Sequence, residues 1–111
     1  MNITVETFLK QQPGDTSEPV GPTRLSLEEP AYRDLLKVEE RLLDSGQEEL
    51  LVEAQRVDIE TPSGLGPLDA PRMRVFLDPS KEAAHFHLVA KRSTDGALVY
   101  TEPTMIRMVA V

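Results

Sequence analysis

The feature that most narrows what this chain can fold into is the tetrapeptide Ser93-Thr94-Asp95-Gly96, set between two stretches whose apolar residues recur at alternate positions. Asp-Gly suits the centre of a type I′ turn because both central residues need positive φ. With Asp95 and Gly96 as a two-residue loop, Arg92 faces Val99, Ala90 faces Thr101 and Leu88 faces Pro103. One face then carries Phe86, Leu88, Ala90 and Val99 toward the core. The other presents His85, His87, Lys91, Tyr100 and Glu102 to solvent.

Upstream, Met73, Val75 and Leu77 alternate with Arg74 and Phe76, and Asp78-Pro79-Ser80-Lys81 supplies a turn, so residues from about 73 onward read as a β-rich unit. A competing reading starts a helix at Pro79, with Asp78 as N-cap and Lys91-Arg92 on the C-terminal dipole. Near the start of the chain, Ile3 and Val5 alternate with polar neighbours and predict a short strand. The breaker-rich segment at about 11–23, almost without apolar anchors, reads as flexible, because burial there cannot offset the entropy of ordering.

A helix is expected to start between Ser26 and Ala31: Ser26 and Glu29 have capping-box spacing, which would put Pro30 at an unfavourable fourth helical position, and the alternative start has Pro30 in the first turn. Tyr32, Leu35, Leu36, Leu42 and Leu43 fall on one face, and the helix ends near Asp44. Ser45 and Glu48 repeat capping-box spacing before Leu50, Leu51 and Ala54, which predicts a second helix from Gln47 to about Arg56. Val57 and Ile59 suggest a short strand, and 62–71 reads as a Pro/Gly-rich loop. The expected fold is α+β, a single small domain over 1–111, with one or two amphipathic helices packed on a small antiparallel β-meander.

At 40% hydrophobic residues the chain can build a core without crosslinks. The absence of cysteine excludes a disulfide framework, a thiol nucleophile and a cysteine zinc site. A net charge of −7 disfavours nucleic acid. No apolar run is long enough for a bilayer and no signal-peptide pattern opens the sequence, so a cytoplasmic protein without membrane contact is expected.

Catalytic chemistry finds few footholds. His85 and His87 form a His-x-His pair whose rings share one side of a strand and could supply two metal ligands, with Asp78, Glu82 or Glu102 as a third. The plainer reading makes them surface histidines, with no cofactor. Paired acids such as Glu39-Glu40 and Glu48-Glu49 read as solvated helix positions. Gly64-Leu65-Gly66 lacks the rest of a phosphate loop, and no Gly-x-Ser-x-Gly elbow is present. Met105, Ile106, Met108 and Val109 form an apolar tail that reads as a surface for a protein partner or a second copy, Met-rich surfaces adapting readily. A non-enzymatic interaction protein is the expected function. A metal-binding module or metal-dependent enzyme using His85 and His87 is the alternative.

Asp95-Gly96-Ala97-Leu98-Val99-Tyr100-Thr101-Glu102-Pro103 resembles the hairpin of the flagellar FlaG-type family through Gly96, the apolar pair Leu98-Val99 and Pro103. The preceding Val75-Phe76-Leu77 and Phe86-His87-Leu88-Val89 sit where that family's earlier strands would be. Ala97, Tyr100 and Glu102 depart from the pattern. Over about residues 73–103 the resemblance implies a cytoplasmic, non-catalytic role in flagellar assembly, with no active site to carry over.

Overall fold

A computed structural model describes residues 2–11, 21–54, 56–62, 64–77 and 83–108. In order, the chain forms β1 (Asn2–Gln11), β2 (Gly21–Glu28), α1 (Glu29–Ser45), β3 (Glu49–Glu53), β4 (Val57–Glu60), β5 (Leu68–Leu77), β6 (Ala84–Arg92), β7 (Leu98–Thr101) and β8 (Thr104–Met105). A single 3-10 turn, Ile106–Met108, follows. The strands join into one sheet in the order β3-β5-β6-β7-β1-β2-β4, with β8 pairing on β6 beyond β7. Every ladder is antiparallel.

This corrects the expectation of helices packed on a small meander. The molecule is mostly antiparallel sheet curled into a half-barrel, with one α-helix among the described residues. The two end strands of the sheet, β3 and β4, are neighbours in sequence, separated only by residues 54–56. Such a short link between opposite edges requires the sheet to roll back on itself, an extreme of the twist that all sheets carry.

The helix lies in the concavity. Pro30 sits in its first turn, Glu28 is extended before it, and Glu29 pairs with Arg33 at 2.7 Å one turn on. Gly46 ends it at φ 72, its N–H donating to the Leu42 carbonyl at 3.1 Å. Ala31, Leu35, Val38 and Leu42 are buried, whereas Leu43, expected on the same face, is exposed. These side chains meet Ile3 and Val5 of β1, Leu25 and Leu27 of β2, Met73 and Val75 of β5, and Phe86 and Leu88 of β6 in one core. Burial of a side chain such as Phe86 contributes about 2–3 kcal/mol.

The expected second helix, Gln47 to about Arg56, is instead a strand, β3, and the short strand expected at Val57 and Ile59 follows as β4. Leu50 and Val52 turn toward the core while Glu49, Leu51 and Glu53 turn away, and β3 pairs with β5 from Glu49↔Phe76 to Glu53↔Arg72. Glu, Leu and Gln favour a helix by propensity. The left-handed Gly46 stops the first helix, and the edge of β5 offers five residues a ladder worth more than that weak preference. Arg56, at φ 61, reverses the chain between the two strands.

Other boundaries also move. β5 begins at Leu68, inside the expected loop at 62–71, and a bulge between Asp69 and Arg72 accommodates Pro71, with Ala70 at φ 44. Of the segment expected to be flexible, Gly21 to Thr23 belong to β2, Gln11 ends β1 and 12–20 lie outside the described residues. Residues 84–92 are a strand rather than a helix from Pro79. Residues 78–82 are outside the described set.

The hairpin keeps its faces but changes register. Ala90 faces Val99 and Lys91 faces Leu98, a slip of two residues from the expected pairing. Arg92 and Ala97 close a four-residue loop: the Arg92 N–H donates to the Ala97 carbonyl and the Gly96 N–H to the Arg92 carbonyl, both at 2.8 Å. Asp95 accepts the Ala97 N–H at 3.0 Å and grips Arg92 through both carboxylate oxygens at 3.2 and 2.7 Å. A loop built this way needs left-handed geometry only at Gly96, φ 70. Because side chains alternate with period two, a slip of two leaves Phe86, Leu88, Ala90 and Val99 facing inward as expected.

Candidate functional site: the outer face of the sheet

The convex face carries the side chains that alternate with the core. Glu49, Phe76, His85 and Met105 stand in one row across β3, β5, β6 and β8, and Leu51, Arg74 and His87 in the next. His85 and His87 share this face, as expected, but they are buried, at 8% and 6% exposure, not solvated. Ring packing does this. Phe76 stacks with His85 at 6.1 Å and meets the edge of His87 at 5.5 Å, and Tyr100 closes on His87 at 5.9 Å. β6 is central, so neighbours on both sides cover its outer residues.

A polar relay runs across four strands. The regular β6–β7 ladder would pair Leu88 with Thr101, but here the chain peels away ahead of Pro103. The Glu102 N–H continues the β1–β7 register by bonding to the Phe8 carbonyl, and pairing with β6 resumes one residue out of step at Phe86↔Thr104. The Leu88 N–H is taken by the Thr101 hydroxyl at 2.8 Å, which releases the Thr101 carbonyl to His87 Nδ1 at 3.2 Å. A carbonyl only accepts, so Nδ1 carries the proton. Nε2 then accepts from Arg74 Nη1 at 3.3 Å, guanidinium being a donor only. Arg74 Nε in turn pairs with Glu49, and its guanidinium lies 4.5 Å above the Phe76 ring.

This arrangement keeps His87 neutral. Burial is the largest influence and holds its pKa below the ordinary value; the positive Arg74 adds to that, while the Thr101 carbonyl and Glu49 oppose it. With both ring nitrogens engaged, the imidazole is a structural tie between β7 and β5. His85 Nδ1 is buried with no hydrogen-bond partner among the described residues. Of the expected third metal ligands, Glu102 pairs with Lys10 at 3.1 Å, and Asp78 and Glu82 lie outside the described residues. No group of three ligating side chains gathers among those described.

The expected partner surface at the tail is reorganised. Ile106 is fully buried and belongs to the main core, and Met105 is half-buried on β8 beside His85. Val109, and the side chain of Met108, lie outside what the structure describes. What seats this segment is Glu39, a carboxylate 2% exposed within the apolar stripe of α1. It accepts the Ala84 N–H at 3.1 Å and both Nε and Nη2 of Arg107 at 3.1 Å. Reading Glu39-Glu40 as a solvated pair missed this. The available signal was position: Glu39 follows Leu35 by four residues and precedes Leu42 by three, on the buried face.

Apolar exposure is found instead further along the same outer face. Leu51 is 54% exposed, Phe8 46% and Leu98 37%. Leu51 and Leu98 bound a groove of about 310 Å³ that crosses β5 and β6, lined by Ala70 and Val89 with Arg72 and Lys91 at its rim. The bulge at Ala70 shapes one wall, and a left-handed alanine is a strained position of the kind that clusters at functional surfaces. Elsewhere Arg24 bridges Glu6 at 2.9 Å and Glu60 at 3.9 Å, an exposed network that adds little stability.

The fold and the face together define a curled antiparallel half-barrel with an apolar groove on its convex side. Comparison with protein-family models, with curated proteins and with solved structures returned no match in any of the three. Among the described residues, no helix is long and apolar enough to cross a membrane.

Proposed function

We propose that this chain is a non-enzymatic interaction protein of the cytoplasm that binds another protein through the outer face of its sheet. The groove between Leu51 and Leu98 carries the reading. Large aliphatic side chains held open on a rigid sheet are stabilised by being covered, and each contributes roughly 1–2 kcal/mol when removed from water. Support also comes from the relay: two of the basic groups on this face, His87 and Arg74, are tied to each other, to Thr101 and to Glu49. The hairpin's resemblance to FlaG-type proteins implies an assembly role of the same kind, with a flagellar component as the partner.

The test is affinity capture from the native host with the wild-type chain and with a Leu51→Glu/Leu98→Glu variant of unchanged melting temperature. A defined protein retained by the wild type and lost from the variant is the expected result. Equal retention by both, or retention of nothing, overturns the reading. Light scattering on the full chain decides whether the partner is a second copy.

A further inference from the structure

Beyond α1 the concavity is covered by a strap, residues 61–67, that links β4 to β5. At its near end Pro62 fills the place of a side chain on Gly21: a Cβ there would stand 2.7 Å from Pro62 Cγ. At its far end the Ser93 N–H donates to the Pro67 carbonyl at 2.9 Å, and a Cβ on Gly66 would stand 3.3 Å from Thr94 Cγ2. Between these anchors Leu65, 6% exposed, drops into a second core with Leu9, Ala90 and Val99. That core is separate from the one under α1, and the half-buried Leu68 packs against both. Within the strap, the Leu65 N–H donates to the Pro62 carbonyl at 3.3 Å. A loop held this sparsely opens locally at lower free energy than the ladders beneath it.

Beside this second core the inner face turns polar. Thr7 and Thr23 stand opposite each other on β1 and β2, two residues along from the Leu9↔Gly21 pair and on the same face. The Thr7 hydroxyl donates to the Glu102 carbonyl at 3.3 Å. Thr23, 1% exposed, has its hydroxyl buried with no hydrogen-bond partner among the described residues. A buried hydroxyl left unpaired costs stability, and a bound oxygen satisfies it. We infer that Leu65 is a displaceable plug, and that the strap lifts to admit a small uncharged aliphatic molecule bearing one hydroxyl or carbonyl. Its carbons take the place of the Leu65 side chain against Leu9, Ala90 and Val99, and its oxygen bonds to Thr23. Apolar walls with one polar group to fix orientation are the usual lining of a small-molecule site. An ionic ligand fits poorly: Arg92, which follows Ala90 on the same face of β6, is already held by both carboxylate oxygens of Asp95. The site lies on the concave side of the sheet and is independent of the groove between Leu51 and Leu98.

The probe is cyclohexanol, titrated into the full chain while backbone amide resonances are followed. Saturable shifts centred on Leu9, Thr23 and Val99 are expected, with faster exchange of the Leu65 and Ser93 amides, whose bonds close the strap. Thr23→Val keeps the shape of the side chain and removes the unpaired hydroxyl, so it should fold at least as well as the wild type and bind cyclohexanol several-fold more weakly. Leu65→Ala shortens the plug and should bind several-fold more tightly. Should that variant unfold, Leu65→Val serves instead, with a smaller gain. Cyclohexylammonium, of similar shape but charged, should produce no saturable shifts. Failure of the wild type to bind cyclohexanol overturns the proposal even where Leu65→Ala binds it, because the site would then be an engineered cavity only. Shifts centred on Leu51 and Leu98, undiminished binding by Thr23→Val, or equal binding of the charged analogue would also overturn it.

Discussion

His87 Nε2 accepts a hydrogen bond from Arg74 Nη1 at 3.3 Å, while Nδ1 on the opposite side of the same ring donates to the Thr101 carbonyl at 3.2 Å. A protonated imidazole cannot accept from a guanidinium, so charging the ring breaks one of the two bonds and sets two cations together.

The pH dependence of stability follows from this. The folded pKa of His87 lies below its ordinary 6.5, so below 6.5 the unfolded chain binds a proton that the folded chain resists. The contribution is fully present above 6.5 and is lost as pH falls through the folded value. Urea midpoints measured from pH 8 to pH 5 should fall with acidification, and His87→Gln should flatten that slope while His85 remains in place. An unchanged slope would exclude His87 as the titrating group. The loop carboxylate of Asp95, lowered first by the Ala97 N–H and further by Arg92, acts only below its ordinary 3.8, outside this window.

Thr101→Val keeps the side-chain volume and removes the acceptor of the buried Leu88 N–H. An orphaned buried donor costs about 1–3 kcal/mol. Thermal or urea unfolding should show that loss, and amide exchange at Leu88 should accelerate more than at its neighbours.

Glu39→Ala leaves the Ala84 N–H without its carboxylate and frees Arg107. The Arg107 side chain is 68% exposed, so water recovers much of the lost pairing, and about 2 kcal/mol of destabilisation is expected. Glu39→Gln, which still accepts from Ala84, should lose less. A chemical melt ranks the two, and equal losses would show that the ion pair with Arg107 dominates.

In the hairpin loop, Gly96 at φ 70 has nothing within 4 Å of where a Cβ would stand, so a substitution there meets backbone strain alone. Gly96→Ala should cost about 1 kcal/mol and Gly96→Asn less, because asparagine tolerates the left-handed region. Melting temperatures of the two variants test the ranking.

Local chemistry made parts of this fold legible. Alternation placed Phe86, Leu88, Ala90 and Val99 on one face whatever the register, because a slip of two residues is invisible to a period of two. Helical spacing located α1, and Gly46 its end. The loop length was misread because Asp95 fixes a four-residue loop through its own hydrogen bonds, which the Asp-Gly pair alone does not reveal.

What the sequence determined by itself, then, was which residues alternate, where the chain can turn and which side chains share a face near Asp95 and Gly96. The tertiary structure decided everything that depends on a distant neighbour. Glu49–Glu53 became a strand because β5 had an edge to fill, and that placed Leu51 on the end strand of the sheet. His85 and His87 became buried because Phe76 and Tyr100 reach them from adjacent strands, and the turn that carries the buried Ile106 is held against α1 by the Glu39–Arg107 pair. Ladder pairing and burial are energies between segments far apart in the chain, and no local pattern carries them.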